Sequence, residues 1–405
     1  MKISNCRNCG KKNLIKLFTL GNQYFTGKFI KYGDKVKKAP INLSICKKCK
    51  LVQLKDRYNL KYMYGPDYGY RTGINKTMSL HVKKITKILS KKVNLKKNDF
   101  VLDIASNDGT LLNYYNRNIK TFGIDPVLDK YKLYYKNIDY KKNDFFNKNA
   151  IKSKTKNKFK IITALSVFYD LNNPNKFLKD VHDILDENGL FLLEFADLAS
   201  LIKLNMFDTI CHEHAEYYST KVLIKMFEKN NLRLLQINKN DINGASKQFL
   251  LSKKNSKFKS NNKNIINILK EEKLLKLDDP KMYSKFFTKI KKIGKELKTF
   301  LDRQIKKNKV IHGYGASTKG NTLLQFFKIG QRQISFISDR NPDKYGLKTP
   351  GTNITIISEK KSRSLKPDFY LVLPWHFKKE ILKREIKIRK KGTRFIFPLP
   401  KLTII

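Results

Sequence analysis

Nowhere do apolar residues run on for the ~20 positions that a membrane span needs, although they make up 40% of the 405-residue chain. A membrane partner is therefore not expected. The start, Met1-Lys2-Ile3-Ser4-Asn5-Cys6, lacks the apolar stretch of an export signal, so a cytoplasmic location is the expectation. Acids are scarce: 34 Asp and Glu stand against 86 Lys and Arg, a net charge of +52. Such a surplus raises the prospect of an RNA or protein target. Yet the lysines are spread over nearly every segment, beside the Asn and Ile that an AT-rich coding sequence also favours. Nucleic-acid binding calls for clustering on one face, so it is not the expected role, while the positive field favours anionic small substrates.

Cysteine is rare too, with five residues, but four of them fall into two matched pairs. Cys6-Arg7-Asn8-Cys9-Gly10 and Cys46-Lys47-Lys48-Cys49 are Cys-x-x-Cys hooks. Together they supply four thiolates for a tetrahedral zinc with no open position, which makes the site structural. Cys211 is left over and reads as an inert thiol. At this length two or three domains are expected. Residues 1–60 form the zinc module, whose small core should draw much of its stability from the metal.

The chain is organised around Phe100-Val101-Leu102-Asp103-Ile104-Ala105-Ser106-Asn107-Asp108-Gly109. It reads as a buried strand entering a tight polar turn, with a helix opening at Thr110-Leu111-Leu112. A second strand, Thr121-Phe122-Gly123-Ile124, ends at Asp125, about 20 residues past the turn, the spacing that sets an acid against a ribose diol. Only Gly109 stands where a dinucleotide fingerprint wants three glycines. The acids in the turn suit an amine, a sulfonium or hydroxyls better than a pyrophosphate. The stretch resembles motif I of S-adenosylmethionine-dependent methyltransferases, with Asp103, Ser106, Asn107, Gly109 and Asp125 as the donor-binding set.

The segment 61–250 is thus the expected methyltransferase domain. It opens on a tyrosine- and glycine-rich loop, Tyr62 to Gly73, which reads either as packing or as a lid carrying phenols. An amphipathic helix with Met78, Leu80, Val82, Ile85 and Ile88 follows. The strand ending at Glu194 should bring an acid to the same rim of the sheet. Residues 251–307 are linker and a long amphipathic helix, with apolar residues every three or four positions from Met282 to Ile305. From 308 to 405 a second α/β unit begins with Val310-Ile311-His312-Gly313-Tyr314-Gly315-Ala316-Ser317-Thr318-Lys319-Gly320, a strand, a glycine-rich turn and a helix start. Gly313, Gly315 and Lys319 could hold a diphosphate there; a ligand-free tight turn stays open as the alternative. The fold class is α/β: a Rossmann-like class I methyltransferase domain flanked by the zinc module and a second Rossmann-like unit.

The densest titratable cluster is Phe207-Asp208-Thr209-Ile210-Cys211-His212-Glu213-His214-Ala215-Glu216-Tyr217-Tyr218-Ser219. The histidine spacing is wrong for a zincin. A histidine beside a carboxylate near a methyl donor suits proton abstraction. With the paired cysteine hooks, the motif I turn, Asn243-Gly244 and the C-terminal Gly-Tyr-Gly-Ala-Ser-x-Lys-Gly-Asn, this cluster resembles the nucleotide-sugar C-methyltransferases over essentially the whole chain. The resemblance implies methylation of a carbon beside the ketone of a nucleotide-linked 4-keto-sugar. It makes His214 the base, oriented by Glu213, and sets Tyr70, with Tyr68 second, near the sugar. Asn243 and the C-terminal glycine turn would serve the substrate. Some members carry a histidine where this chain has Tyr169. A sugar O-methyltransferase and an RNA or protein methyltransferase are the alternatives.

Overall fold

The computed structural model describes residues 2–31, 33–65 and 68–405; Pro66 and Asp67 of the tyrosine-rich loop lie outside them. In the first sheet, β1 (Leu14–Tyr24), β2 (Lys38–Cys46) and β3 (Val52–Leu54) run antiparallel beside the two cysteine hooks. Each hook closes on a left-handed residue, Gly10 at φ 71° and Lys50 at φ 63°. The amide of that residue returns to the first cysteine's carbonyl, Gly10 to Cys6 at 2.9 Å and Lys50 to Cys46 at 3.0 Å.

The second sheet takes β4 (Phe100–Ile104), β5 (Lys120–Ile124), β6 (Tyr140–Lys142), β7 (Phe159–Leu165) and β8 (Leu185–Phe195) in parallel. Its central strands are covered on both faces, so they read as near-unbroken apolar runs. β9 (Glu216–Tyr217) leaves this domain to pair with β3. β10 (Leu232–Asn240) and β11 (Ser246–Lys253) then complete the order β10-β11-β8-β7-β4-β5-β6, with β11 antiparallel to β8. The chain lays β5 and β6 on one side of β4 and β7 and β8 on the other. The reversal at β4 and β7 opens the crevice in which such sheets bind ligands.

The third sheet comprises β12 (Ile311–Tyr314), β13 (Phe336–Asp339), β14 (Thr355–Ser358), β15 (Phe369–Val372), β16 (Arg394–Phe397) and β17 (Thr403–Ile404). Its order, β14-β13-β12-β15-β16-β17, reverses between β12 and β15. This is the second Rossmann-like unit that the glycine-rich turn signalled.

Three expectations need correction. No α-helix follows Gly109, only a 3₁₀ turn at Leu112–Tyr114. Residues 105–119 connect β4 to β5 through that single turn. In the helix Lys76–Val93 the buried stripe is Met78, Val82, Ile85, Thr86 and Leu89; Leu80 and Ile88 face solvent, one turn out of phase. The zinc module is also not a free-standing unit. Phe18, Ile41 and Leu43 share one buried cluster with Ile290 and Leu297 of the helix Pro280–Lys306 and with Ile311 and Leu371 of the third sheet. Phe18 stacks on Phe287 with ring centroids 4.7 Å apart. The first sheet therefore draws on a core larger than its own length could build.

Candidate active site

The carboxyl ends of β4, β5 and β7, the tyrosine-rich loop, the His212–His214 segment and the turn after β12 all open on one cavity of about 380 Å³, the size of a small-molecule site. Asp103, Ser106, Asn107, Asp125, Tyr68, Tyr70, Glu213, His214, Asn243 and Lys319 line it together. Gly109, Gly313 and Gly315 do not.

At one end stand the motif I acids. Thr163 Oγ1 donates to Asp103 Oδ1 at 2.6 Å. The amides of Asn107 and Val127 donate to the two oxygens of Asp125 at 2.8 and 2.7 Å. Burial still pushes Asp103 up to about 7 and Asp125 up to about 6, against the pull of these hydrogen bonds and helped by the neighbouring Asp108. Acids held this way are waiting for a cation or for hydroxyl donors.

Asn107 also ties the tyrosine-rich loop to motif I. Its side chain takes the Thr72 amide at 2.9 Å and donates to the Tyr70 carbonyl at 3.1 Å, while Asp108 Oδ2 takes the Gly73 amide at 2.8 Å. These bonds fasten the tyrosine-rich loop onto motif I, so the loop is a wall of the cavity. Gly109, at φ 72°, is a packing position: a Cβ there would come within 2.7 Å of Ile138.

At the other end, His214 Nδ1 lies 2.6 Å from the Thr209 carbonyl. A carbonyl only accepts, so Nδ1 carries the proton and Nε2 keeps its lone pair. The Tyr169 ring lies against the imidazole, centroids 4.1 Å apart. Burial drives His214 down to about 4, with Lys319 adding to the fall and Glu213 opposing it. The hydrogen bond that orients the ring goes to the Thr209 carbonyl, while Glu213 acts on His214 through its charge. The Glu213 carboxylate turns to Thr26, whose hydroxyl donates to Oε2 at 3.2 Å. Two further wall residues escaped the sequence reading. Tyr64 donates to Asp170 at 2.7 Å across 106 positions of chain; only the polar character of the loop after β7 hinted at Asp170. Glu194, expected at the rim, is spent on His81, Asn240 and Gln248 at 2.6 to 3.0 Å.

The C-terminal turn also departs from expectation. The Gly315 amide donates to the Ser338 carbonyl and the Ala316 amide to Asp339 Oδ2, both at 2.7 Å. Ser317 caps the Gly320 amide. The Gly315 and Ala316 amides are thus bonded within the C-terminal unit, with the Asp339 carboxylate beside them. Gly313 lies inside β12 with its Cα facing Ile337. Of Gly313, Gly315 and Lys319, the cavity is lined by Lys319, beside Thr318.

The four hook thiols lie within 4.8 Å of one another, with Cys6–Cys49 at 3.4 Å and Cys9–Cys46 at 3.6 Å. A tetrahedron with Zn–S bonds of ~2.3 Å has edges of ~3.8 Å, so the set fits the metal. Gln53 Nε2 donates to Cys6 Sγ at 3.2 Å, the supporting contact such ligands usually have.

Family models match in three consecutive blocks: a zinc binding domain over residues 6–64, a methyltransferase domain over 74–237 and the C-methyltransferase C-terminal domain over 241–400. The C-methyltransferase NovU of Streptomyces niveus is 25% identical over 419 residues, spanning 100% of this chain and 97% of that protein. The chain is a methyltransferase. Among solved structures, an S-adenosylmethionine-dependent methyltransferase from Clostridium acetobutylicum matches at 13% identity and a TM-score of 0.36, over 43% of this chain and 91% of that one. The plantazolicin methyltransferase BamL matches at 15% identity and 0.36, over 44% and 86%.

The methyltransferase uses S-adenosylmethionine, whose sulfonium supplies an electrophilic methyl group, and it carries a zinc site in its cysteine hooks. The buried acids fit the donor: Asp125 would take the ribose hydroxyls, and Asp103 would face the cationic end. Asp125→Ala should weaken donor binding at least tenfold, as a lost hydrogen bond to a charged group costs ~1.5–3 kcal/mol; calorimetry reads it. A cation favours the ionised acids, so affinity should be full above about pH 7 and fall as pH drops through the ranges of Asp103 and then Asp125. Affinity that stays flat between pH 8 and 5 would remove both acids from the donor site. Among the described residues no helix is long and apolar enough to cross a membrane.

Proposed function

We propose that this C-methyltransferase acts on a nucleotide-activated 4-keto-(deoxy)sugar and methylates the carbon beside the ketone through an enolate. The observation that carries the reading is His214: its tautomer is set by the Thr209 carbonyl, and its basic Nε2 belongs to the cavity that also holds the donor-type acids. A saturated carbon accepts a methyl group only after its C–H bond has been ionised, and an adjacent ketone makes that ionisation accessible. His214 takes the α-proton, which general-base catalysis rewards by ~10²–10⁴-fold. Tyr70 and Tyr68, held by the bonds from Asn107 and Tyr131, flank the sugar and its keto oxygen. Asn243 joins them at the far wall. The overall positive charge draws in the substrate's diphosphate. Four zinc-binding thiolates and the lone Cys211 suit a reducing compartment, which supports a cytoplasmic enzyme.

A panel of nucleotide-activated 4-keto-sugars incubated with methyl-labelled S-adenosylmethionine tests the reading. One or more should gain a methyl group bound to carbon, located by mass spectrometry and NMR. Label appearing only on oxygen, or on none of the keto-sugars, would overturn it.

A further inference from the structure

The geometry points to Lys319 as the catalytic residue that holds the enolate oxygen, a role distinct from binding the diphosphate; this rests on the keto-sugar reading above. Lys319 is the second residue of the helix Thr318–Phe327, which starts just beyond β12. Its side chain crosses from the C-terminal unit to the methyltransferase domain. There Nζ donates to the Asn243 carbonyl at 2.8 Å. Asn243 is in turn fixed by a left-handed backbone, φ 55°, and by a 3.0 Å hydrogen bond from Nδ2 to Ser166 Oγ at the end of β7. One of the three ammonium hydrogens is thereby used to position the group, and two remain.

Among the described residues that line the cavity, Lys319 is the only lysine or arginine. It shares that wall with His214 and Thr209. Asp208 supplies its countercharge. That carboxylate is itself held by Trp375 Nε1 at 2.8 Å, with its other oxygen buried and unpartnered. At the glycine-rich turn, two amides and a carboxylate are already engaged with one another and with the sheet. Its Gly315 and Ala316 amides are bonded elsewhere, and Lys344 Nζ donates to the Ala316 carbonyl at 2.8 Å. A phosphate cradle would leave those amides open and keep Asp339 away.

The chemistry needs a cation at this position. When the α-C–H bond breaks, its electron pair forms the C=C bond and the carbonyl π pair moves to oxygen, while the proton passes to His214 Nε2. Oxygen goes from a partial to a nearly full negative charge. A preorganised ammonium in a site shielded from water stabilises that charge more than it stabilises the ketone, which is the condition for raising the rate. The need is sharpened by the base, because burial and the nearby ammonium keep His214 weakly basic. Proton transfer to a weak base proceeds only if the enolate is lowered instead.

Lys319→Gln, which keeps a donor for the Asn243 carbonyl but removes the charge, separates the two roles. The readouts are α-proton exchange of the keto-sugar nucleotide in deuterated water without methyl donor, affinity for uridine and thymidine diphosphate, and affinity for S-adenosylmethionine. Exchange per bound substrate should fall by about a hundredfold or more, the scale seen when an oxyanion donor is removed. Both nucleoside diphosphate affinities and the donor affinity should stay within about twofold, the latter showing an intact fold; Lys319→Arg should recover part of the exchange. Unchanged exchange with nucleoside diphosphate binding weakened tenfold would make Lys319 a phosphate ligand and overturn the inference. Unchanged exchange and binding would also overturn it. Wild-type enzyme that exchanges no proton on any keto-sugar would undo the substrate reading along with it, whereas wild-type exchange that survives in Lys319→Gln undoes the Lys319 role alone.

Discussion

His214→Gln should fold, bind S-adenosylmethionine and nucleoside diphosphates as the wild type does, and lose both α-proton exchange and methyl transfer by ~10²–10⁴-fold. Glutamine can still donate toward the Thr209 carbonyl, so the segment keeps its hydrogen bond; what it lacks is a basic lone pair. The pH profile gives a second signature. His214 works only when neutral, and burial has lowered it to about 4. At saturating donor and substrate, kcat should therefore stay flat from neutral pH down to about 5 and fall tenfold per unit below about 4. An ordinary histidine, near 6.5, would lose activity two units earlier. The groups that face the ring are Glu213 and Thr209 from its own segment, Tyr169 after β7 and Lys319 from the C-terminal unit. Of these, Glu213 raises the histidine and Lys319 lowers it, so Lys319→Gln should shift the acid limb upward, toward ordinary histidine. Near wild-type methylation by His214→Gln would show that another group takes the proton.

Much of the scaffold was legible because it depends on local rules. The Asp103-to-Asp125 spacing follows from strand, turn and return; the cysteine hooks carry their own geometry; and the 3.6-residue period of Met282–Ile305 gave the helix Pro280–Lys306. What the sequence could not give depends on the main chain or on distant pairs. Thr209 acts through its carbonyl, a group every residue has, so nothing in its identity marks it. Glu213 stood next to His214 in sequence and seemed its natural partner. Its hydrogen bond, however, comes from Thr26, 187 positions away. The glycine-rich turn resembles a phosphate loop, but nothing in its own residues marks that Asp339, at the end of β13, folds back onto its Ala316 amide. Asn107 was legible as a site residue, though not as the clasp of the tyrosine loop, since that depended on which loop lay over motif I.

Removing the zinc should stop catalysis while leaving most of the fold in place. The first sheet shares its core with the helix Pro280–Lys306 and the third sheet, so loss of the metal frees the hooks without releasing Phe18, Ile41 or Leu43. The damage should instead run along β3. Gln53 there donates to Cys6 Sγ and accepts from the Arg7 amide between the two ligands of the first hook. The Arg7 guanidinium donates to the Leu54 and Asp56 carbonyls and lies 3.5 Å from Glu216, both side chains buried. Gln53 and Val52 pair with Glu216 and Tyr217 of β9, and the Leu54 amide donates to the Ala215 carbonyl at 2.9 Å. Ala215 follows His214 directly, and Tyr217 donates to the His214 carbonyl at 3.0 Å. The hook, β3, β9 and the base thus form one continuous hydrogen-bonded run. Cys46→Ser should lose its zinc, keep near-native far-ultraviolet circular dichroism and donor affinity, and lose methyl transfer by about a hundredfold or more, the cost of misplacing a catalytic group by ~1 Å. Amide exchange should quicken at residues 211–218 and remain slow in β4 and β7. Arg7→Met, which retains all four cysteines, should reproduce the kinetic loss with zinc still bound. Full activity in a zinc-free Cys46→Ser protein would show that the base is held without the metal.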